Sequence, residues 1–525
     1  MKAPAPARRD AALCAFLLLL IVASGLARPL LPIDETRYAA VAWEMWARGD
    51  FLVPHLNGEP YHHKPPLLFW LIHAGWLLFG VQEWWLRLIP PLFAAGTLAL
   101  CALLARRLWP DRPAVAGMAP LILLANGLFA YFASALMFDV MLSFFVALGV
   151  YGLVRAWQDG GARGFALLAL GLGGAFYAKG PVALVHLLPP ALLAPWWMRE
   201  QRPARWGRWY GGTALALLGG AALILAWAIP AGLAGGAEYR NAIFWGQSAG
   251  RMVESFAHKA PWWFYAASLP LMLAPWLLWP RWWRGMRGAE VGDSGQRLAL
   301  AGLLVAFVVF SAISGKRWQY LLPEYLFIAL LMARALADAP APRRWSLAVP
   351  ALTLALLGAA ALGAAPLLVA RLELPHAGPA LALGGLLALA CGAALLLRRP
   401  ADVRDEVRRI AAATVVATSA LLAGVVLAMR EPYDMHEVAA RLAQFEREGR
   451  PVALNVDNHG QWALAGRLRR PLQELPTEQI PAWLAAHPQG RALFVYRREE
   501  QLPPGLQVEY TRPYRGAKLA ILAQP

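Results

Sequence analysis

Apolar runs of about 16 residues or more recur from Ala11 to Leu427, and each is long enough to cross the ~30 Å of a bilayer's hydrocarbon as a helix. Only 15% of the 525 residues are charged, against the usual quarter of a soluble domain, and 59% are hydrophobic. The chain reads as an integral membrane protein. Its formal charge of +17 does not imply nucleic-acid binding, because the arginines cluster between apolar runs instead of forming one stripe. They read as topology signals. Cys14, Cys101 and Cys391 lie inside apolar runs, which leaves no disulfide framework and no zinc cluster. The basic Lys2, Arg8 and Arg9 before an apolar stretch resemble a signal peptide, but the many later runs favour an uncleaved first helix.

Taken in order, the runs predict thirteen spans: 11–27, 84–105, 113–132, 140–157, 163–178, 181–198, 209–230, 263–280, 298–314, 319–337, 345–366, 377–397 and 410–428. A further run, Pro65 to Gly80, is expected not to cross. If it did, every later loop would invert and the arginine-rich ones would lie outside. With it lying in the interface, the inner loops hold about twice as many lysines and arginines as the outer ones. Its opening Pro65-Pro66 also suits a helix start. The fold class is therefore an all-α polytopic membrane bundle with about 13 transmembrane helices. Residues 1–430 form the membrane domain, and 28–83 are an outer loop with juxtamembrane helices. From Glu431 to Pro525 the composition changes, with a helix-like stretch (Asp434 to Glu448) and short β-rich runs at Val452–Val456, Arg491–Tyr496 and Leu519–Leu522. This tail reads as a small soluble α/β domain on the outer side.

Ionisable groups at membrane depth are costly, so charge against the grain marks candidate sites. Arginine outnumbers lysine 43 to 6, yet Lys64, Lys179, Lys259 and Lys316 all fall at outward-facing helix ends or loops. Flexible ammonium groups there suit an anion at the bilayer surface, and snorkelling to lipid phosphates is the plain alternative. Asp34 opens the first outer loop, where it can act as a base toward a hydroxyl or cap the helix 35–48. His62 and His63, adjacent on an extended stretch, are expected to point opposite ways and not to share a metal. Asp139 is the only acidic residue between Asp111 and Asp159, and a short apolar hairpin has little structural use for it. In the later outer loops Arg251, Lys316 and Tyr320 are candidate phosphate ligands, with an Arg251–Glu254 salt bridge as the alternative for the first. Lys179, in Phe-Tyr-Ala-Lys-Gly-Pro, reads as structural.

Together these segments resemble the lipid-linked-sugar glycosyltransferases of the aminoarabinose transferase type, relatives of the protein O-mannosyltransferases. The resemblance rests on Asp34-Glu35-Thr36-Arg37-Tyr38-Ala39, Gly49-Asp50, Pro54, Asn57-Gly58, Tyr61, Lys64-Pro65-Pro66, the Asp139 hairpin, 246–263 and Lys316 to Pro323, in family order. It implies the GT-C type of helical bundle with a soluble periplasmic domain. It also implies catalytic roles for Asp34 and Asp139, and substrate binding by Lys64, Arg251, Tyr61, Tyr320, Lys316, Glu35 and Arg37. Relatives carry Phe-Glu where this chain has His62-His63, so no cofactor is firmly implied and a divalent metal is left open. The implied partners are a polyprenyl-phosphate sugar donor, a lipid or glycolipid acceptor such as lipid A, and membrane lipids. The implied location is the bacterial inner membrane, with site and C-terminus on the periplasmic side. A protein-hydroxyl acceptor is one rival. A lipid-linked-sugar transporter or flippase is another, disfavoured because the candidates gather at one rim and not at the midplane of a repeat.

Overall fold

A computed structural model describes residues 5–203, 205–245, 259–288, 292–372 and 377–525. Among these, ten helices are long and apolar enough to cross a membrane, and the pair Pro113–Leu124 and Gly127–Ser134, bent by 68°, makes an eleventh if taken as one span. The bend falls at Asn126, whose side chain accepts a hydrogen bond from the Leu128 amide and caps the second helix.

The remaining expected crossings are made in interrupted form. Helix α7 (Asp139–Asp159) and helix α8 (Ala162–Lys179) run antiparallel, which brings Lys179 back to the Asp139 end. The chain then reverses at Gly180, whose φ of 75° suits glycine. Helix α9 (Ala183–Leu192) leads back until Trp197 meets Trp157, ring centroids 5.2 Å apart, at the Asp159 end. The stretch expected at 263–280 likewise holds one short helix, Phe264–Met272, interrupted by Pro270 and continued as turns. Ala260 is bonded to Ser314 at one end, and Trp279 to Ser346 at the other.

Glycines set the spacing of the α7–α8 hairpin. A Cβ on Gly171 would meet the Gly149 backbone at 2.6 Å, and one on Gly152 the Leu168 amide at 2.6 Å. Small residues of this kind let two backbones approach closely in a bilayer, where no hydrophobic drive presses helices together.

The two ends of the bundle differ. At the Asp159 end arginines pair across helices: Arg107 with Asp159 at 2.9 Å, Arg112 with Asp338 at 3.0 Å and Arg334 with Asp293 at 3.1 Å. At the Asp139 end lie the first loop and the C-terminal residues. In the first loop, α2 (Asp34–Arg48) is followed by a two-residue ladder, β1 (His55–Leu56) against β2 (Glu59–Pro60). The run expected to lie in the interface forms α3 (Leu67–Phe79), 13 residues long and too short to span. One side of α3 packs inward, with His73 Nε2 2.8 Å from the Ala42 carbonyl, while Leu77, Leu78 and Phe79 are exposed. Helix α4 (Glu83–Leu108) then enters the bundle.

Beyond helix Val403–Tyr433 the chain builds a five-stranded sheet in the order β4-β3-β5-β7-β6. Its strands are β3 (Val452–Leu454), β4 (Gln473–Glu474), β5 (Arg491–Tyr496), β6 (Gln507–Tyr514) and β7 (Ala517–Ala523). β3 pairs in parallel with β4 and β5; β7 pairs antiparallel with β5 and β6. Successive side chains of a strand face opposite ways. Leu493 therefore packs on Val438 and Leu442 of helix His436–Arg447, while Phe494 packs on Ile480 and Leu484 of helix Ile480–Ala486. Strands β3, β5 and β7 and the first of these helices lie where the sequence predicts them. Strand β6, with Glu509, Arg512 and Pro513, lacks the apolar alternation that would reveal it, and sits at a sheet edge where proline is tolerated.

Candidate functional site

The Asp139 end of the bundle brings the candidate residues together in two adjoining clusters. The first is built on α2. Asp34 is the first residue of that helix, and the cap position is Ile33, which makes no side-chain cap bond. The capping alternative is therefore not what the structure adopts. Asp34 instead pairs with Arg37 one turn on and has Arg317 at 3.6 Å, its side chain one-third exposed. A carboxylate open to solvent between two guanidiniums can receive a polar substrate group.

Glu35, next in the chain, faces the other way. It forms a two-point pair with Arg28 and accepts the Leu31 and Leu136 amides, each at 2.7 Å. Burial pushes its carboxyl upward, but the Arg28 charge and these hydrogen bonds outweigh that and hold it below the usual carboxylate range. With both oxygens taken and 4% exposure, Glu35 is not placed to bind substrate. It locks the start of α2 to the 134–136 segment that leads into Asp139.

The second cluster is built on α7 and α8. Asp139 is the first residue of α7, buried, and ion-paired with Lys179. The Lys179 ammonium also lies 4.7 Å from the centre of the Tyr320 ring. Phe138 joins the clusters: its ring lies 4.9 Å from Tyr38 and 5.9 Å from Phe69, and the Lys64 ammonium sits 5.8 Å from its centre. Tyr61 packs on Phe69 and on His63. Burial, then the Asp34 carboxylate and more weakly that of Asp139, push the Tyr38 hydroxyl far above its ordinary value. Both acids thus act on one tyrosine.

Asp34, Arg37, Tyr61, Lys64, Asp139 and Tyr320 accordingly share one end of the bundle. Lys316 does not offer its charge to that space: its ammonium is spent on the Ile313 and Ala260 carbonyls, and the residue is 5% exposed. It fastens the 314–316 segment to the 259–260 segment, which also meet through a Lys259–Gly315 bridge. Arg251 lies outside the described residues. The expectation that His62 and His63 point apart is not met: they lie in no strand, and their rings stand edge to face 4.5 Å apart. Among the described residues no three His, Cys, Asp or Glu side chains form a group that would hold a metal ion.

Two residues passed over as site candidates pair with the candidate acids. Lys179 neutralises Asp139, and Arg317 faces Asp34. The signal for Lys179 was its presence as a lysine in an arginine-dominated chain. Arg317 differs in no sequence property from the other arginines.

Known proteins share part of this sequence and its fold. Residues 63–233 match the family described as dolichyl-phosphate-mannose-protein mannosyltransferase, a segment that includes Lys64, Asp139 and Lys179. The chain is 34% identical over 315 residues to the undecaprenyl phosphate-alpha-4-amino-4-deoxy-L-arabinose arabinosyl transferase of Pseudomonas aeruginosa, covering 58% of this chain and 55% of that protein. It is 34% identical over 308 residues to the enzyme of the same name from Edwardsiella ictaluri, covering 57% and 54%. The match thus spans about half the length of these relatives. In structure it is similar over 98% of its length to ArnT from Cupriavidus metallidurans in the apo state, at 20% identity, 98% coverage of that chain and a TM-score of 0.77. The undecaprenyl phosphate-bound form of the same protein gives 21% identity, 98% and 99% coverage and a TM-score of 0.76. Those two likenesses establish a shared fold. Its apolar helices make the chain a multi-pass membrane protein, similar over part of its length to the undecaprenyl phosphate arabinosyl transferases.

Proposed function

We propose that this protein transfers a sugar from a polyprenyl-phosphate carrier to an acceptor at the outer face of a bacterial inner membrane, with lipid A or another envelope glycolipid as the acceptor. The observation that carries this reading is the gathering of Asp34, Arg37, Lys64, Asp139, Lys179, Arg317 and Tyr320 at one end of an apolar bundle. At that depth a lipid carrier's phosphate meets cations while its tail stays in hydrocarbon.

In the reaction an acceptor oxygen attacks the anomeric carbon as the bond from that carbon to the carrier phosphate breaks. The electron pair leaves with the polyprenyl phosphate. Lys64 and Arg251 stabilise the charge that grows on this leaving group. Asp34 orients the acceptor and takes its proton when the acceptor is a hydroxyl. A phosphate acceptor arrives as an anion, and Asp34 and Arg37 then position it. Asp139, neutralised by Lys179, shapes the acceptor side. Residues 1–430 carry this chemistry and 431–525 form the outer domain. The arginine network at the Asp159 end supports placing that end in the cytoplasm and the site in the periplasm.

The test is release of polyprenyl phosphate from a polyprenyl-phosphate sugar by purified wild type and Asp34→Asn, with and without lipid A. Acceptor-dependent release that falls by about 100-fold or more in a folded mutant supports the assignment. Unchanged release in the mutant removes Asp34 from the chemistry. No release by wild type with lipid or protein acceptors overturns the transferase reading in favour of a carrier.

A further inference from the structure

We propose that the loop 457–460 of the C-terminal sheet unit forms the outer wall of the acceptor site, with His459 contacting the acceptor's polar head group beside Arg37. This rests on the transferase reading above.

The loop is polar and braced by hydrogen bonds. Asn458 Oδ1 accepts the Gly460 amide at 3.1 Å, and the Asn458 amide donates to Glu474 at 2.7 Å. The His459 amide donates to Gln461 Oε1 at 2.8 Å, and the Gln461 amide nitrogen reaches the Asp457 carbonyl and the Tyr514 hydroxyl, each at 3.3 Å. So braced, the loop is pressed against α2. Gly460 has φ of 72°, and a Cβ there would meet Ala40 at 2.5 Å and Leu56 at 2.9 Å. Asn57 of the first loop donates to the Asn458 carbonyl. Farther along the same junction, Trp43 Nε1 donates to the Leu468 carbonyl at 2.7 Å, and the Arg467 guanidinium lies 5.4 Å from the centre of the Trp43 ring.

Ala40 stands one helical turn after Arg37, on the same side of α2. The contact at Gly460 therefore brings its neighbour His459 toward Arg37, whose charge acts on it. Burial, and next the Arg37 charge, hold the His459 imidazole below its ordinary value. Asp457, Glu474 and Arg515 also face it, the first at 3.8 Å. A neutral imidazole, one-third exposed, has a donor and an acceptor nitrogen to offer a hydroxyl or phosphate.

The loop's own chemistry selects acceptor over donor. Asp457, Asn458, His459 and Gln461 offer nothing to a polyprenyl tail. Exposed apolar side chains at this end include Leu77, Leu78 and Phe79 of α3, which Lys64 precedes. The donor thus enters along α3 and the acceptor head from the sheet unit's side.

The experiment measures KM for each substrate separately in purified His459→Ala, His459→Gln and Gly460→Ala, using lipid A and a polyprenyl-phosphate sugar, with Tm recorded for each. His459→Ala should raise the KM for lipid A about fivefold, the worth of one hydrogen bond, and leave the donor KM unchanged. His459→Gln should recover part of the loss. Gly460→Ala, whose Cβ pushes the loop off Ala40, should raise the acceptor KM in the same sense. An unchanged acceptor KM in His459→Ala, or an equal rise for both substrates, overturns the proposal while leaving the transferase reading intact. Absence of transfer by wild type defeats that reading and this one together.

Discussion

Neighbouring acids in the chain carry opposite duties here, and burial separates them. Asp34 is one-third exposed between Arg37 and Arg317, whereas Glu35 is sealed against Arg28 and two amides. Glu35→Gln leaves the Arg28 charge buried without a counter-ion and should cost about 3–5 kcal/mol of stability, read as a lowered Tm in detergent. The sign of the pH effect follows from the direction of the shift. A carboxyl held below its unfolded value stabilises fully above that value and loses the contribution as pH falls through the folded one. Wild type should therefore lose Tm on acidification into that range, and Glu35→Gln should lose less. Lys179 is to Asp139 what Arg28 is to Glu35. Lys179→Met should abolish transfer, and Asp139→Asn should destabilise less in the Met background than in wild type, a non-additivity visible in a double-mutant cycle. Sequence reasoning singled out Asp34 for its place at the start of the first outer loop and Asp139 as a lone acid in an apolar hairpin. It assigned Glu35 to substrate because a motif does not say which way each side chain turns. Lys316 was misjudged for a related reason: a lysine at a helix end reads as available, yet the nearby carbonyls claim it.

Helices deliver these residues, and their spacing is a property of the elements. The α7–α8 hairpin sets Asp139 against Lys179 through the close approach of Gly149 and Gly171. Gly171→Leu should part the helices, cost about 1–3 kcal/mol and reduce transfer, while Gly211→Leu, which meets open space, should do neither. The segment that carries Arg317 and Tyr320 ends at Glu324, whose carboxylate lies 2.6 Å from Nδ1 of His186, a fully buried residue of α9. Glu324→Ala should leave that nitrogen without its partner and cost about 1–3 kcal/mol, measured by thermal unfolding. Most of the elements were legible from apolar length alone, including α3, whose 13 residues set it apart from a span. Two crossings were harder to read as helices, since Gly180-Pro181 turns the chain and Pro270 and Pro275 break it. Hydropathy registers how apolar a stretch is and not whether its backbone stays helical.

At the scale of the whole molecule the two ends carry different chemistry: cross-helix arginine pairs at one, and the candidate site with the sheet unit at the other. Cysteine introduced at Arg515 should react with a membrane-impermeant maleimide from the periplasmic side, and cysteine at Arg343 should not; the reverse pattern would invert the assignment. The native Cys14 and Cys101 are buried and will give little background. The sheet unit's presence was legible in the composition change after residue 430, but its attachment to α2 was not, because contacts between residues 425 positions apart leave no local trace. That attachment has a bearing on biosynthesis. Ribosomes make α2 and its charged turn early, and the loop that meets Ala40 only after every membrane segment has been made. The end of the bundle that holds the candidate acids stays unfinished until the C-terminal unit has been made and folded. A half-made polypeptide therefore already holds Asp34 and Asp139, yet lacks the sheet unit that packs against α2 beside them.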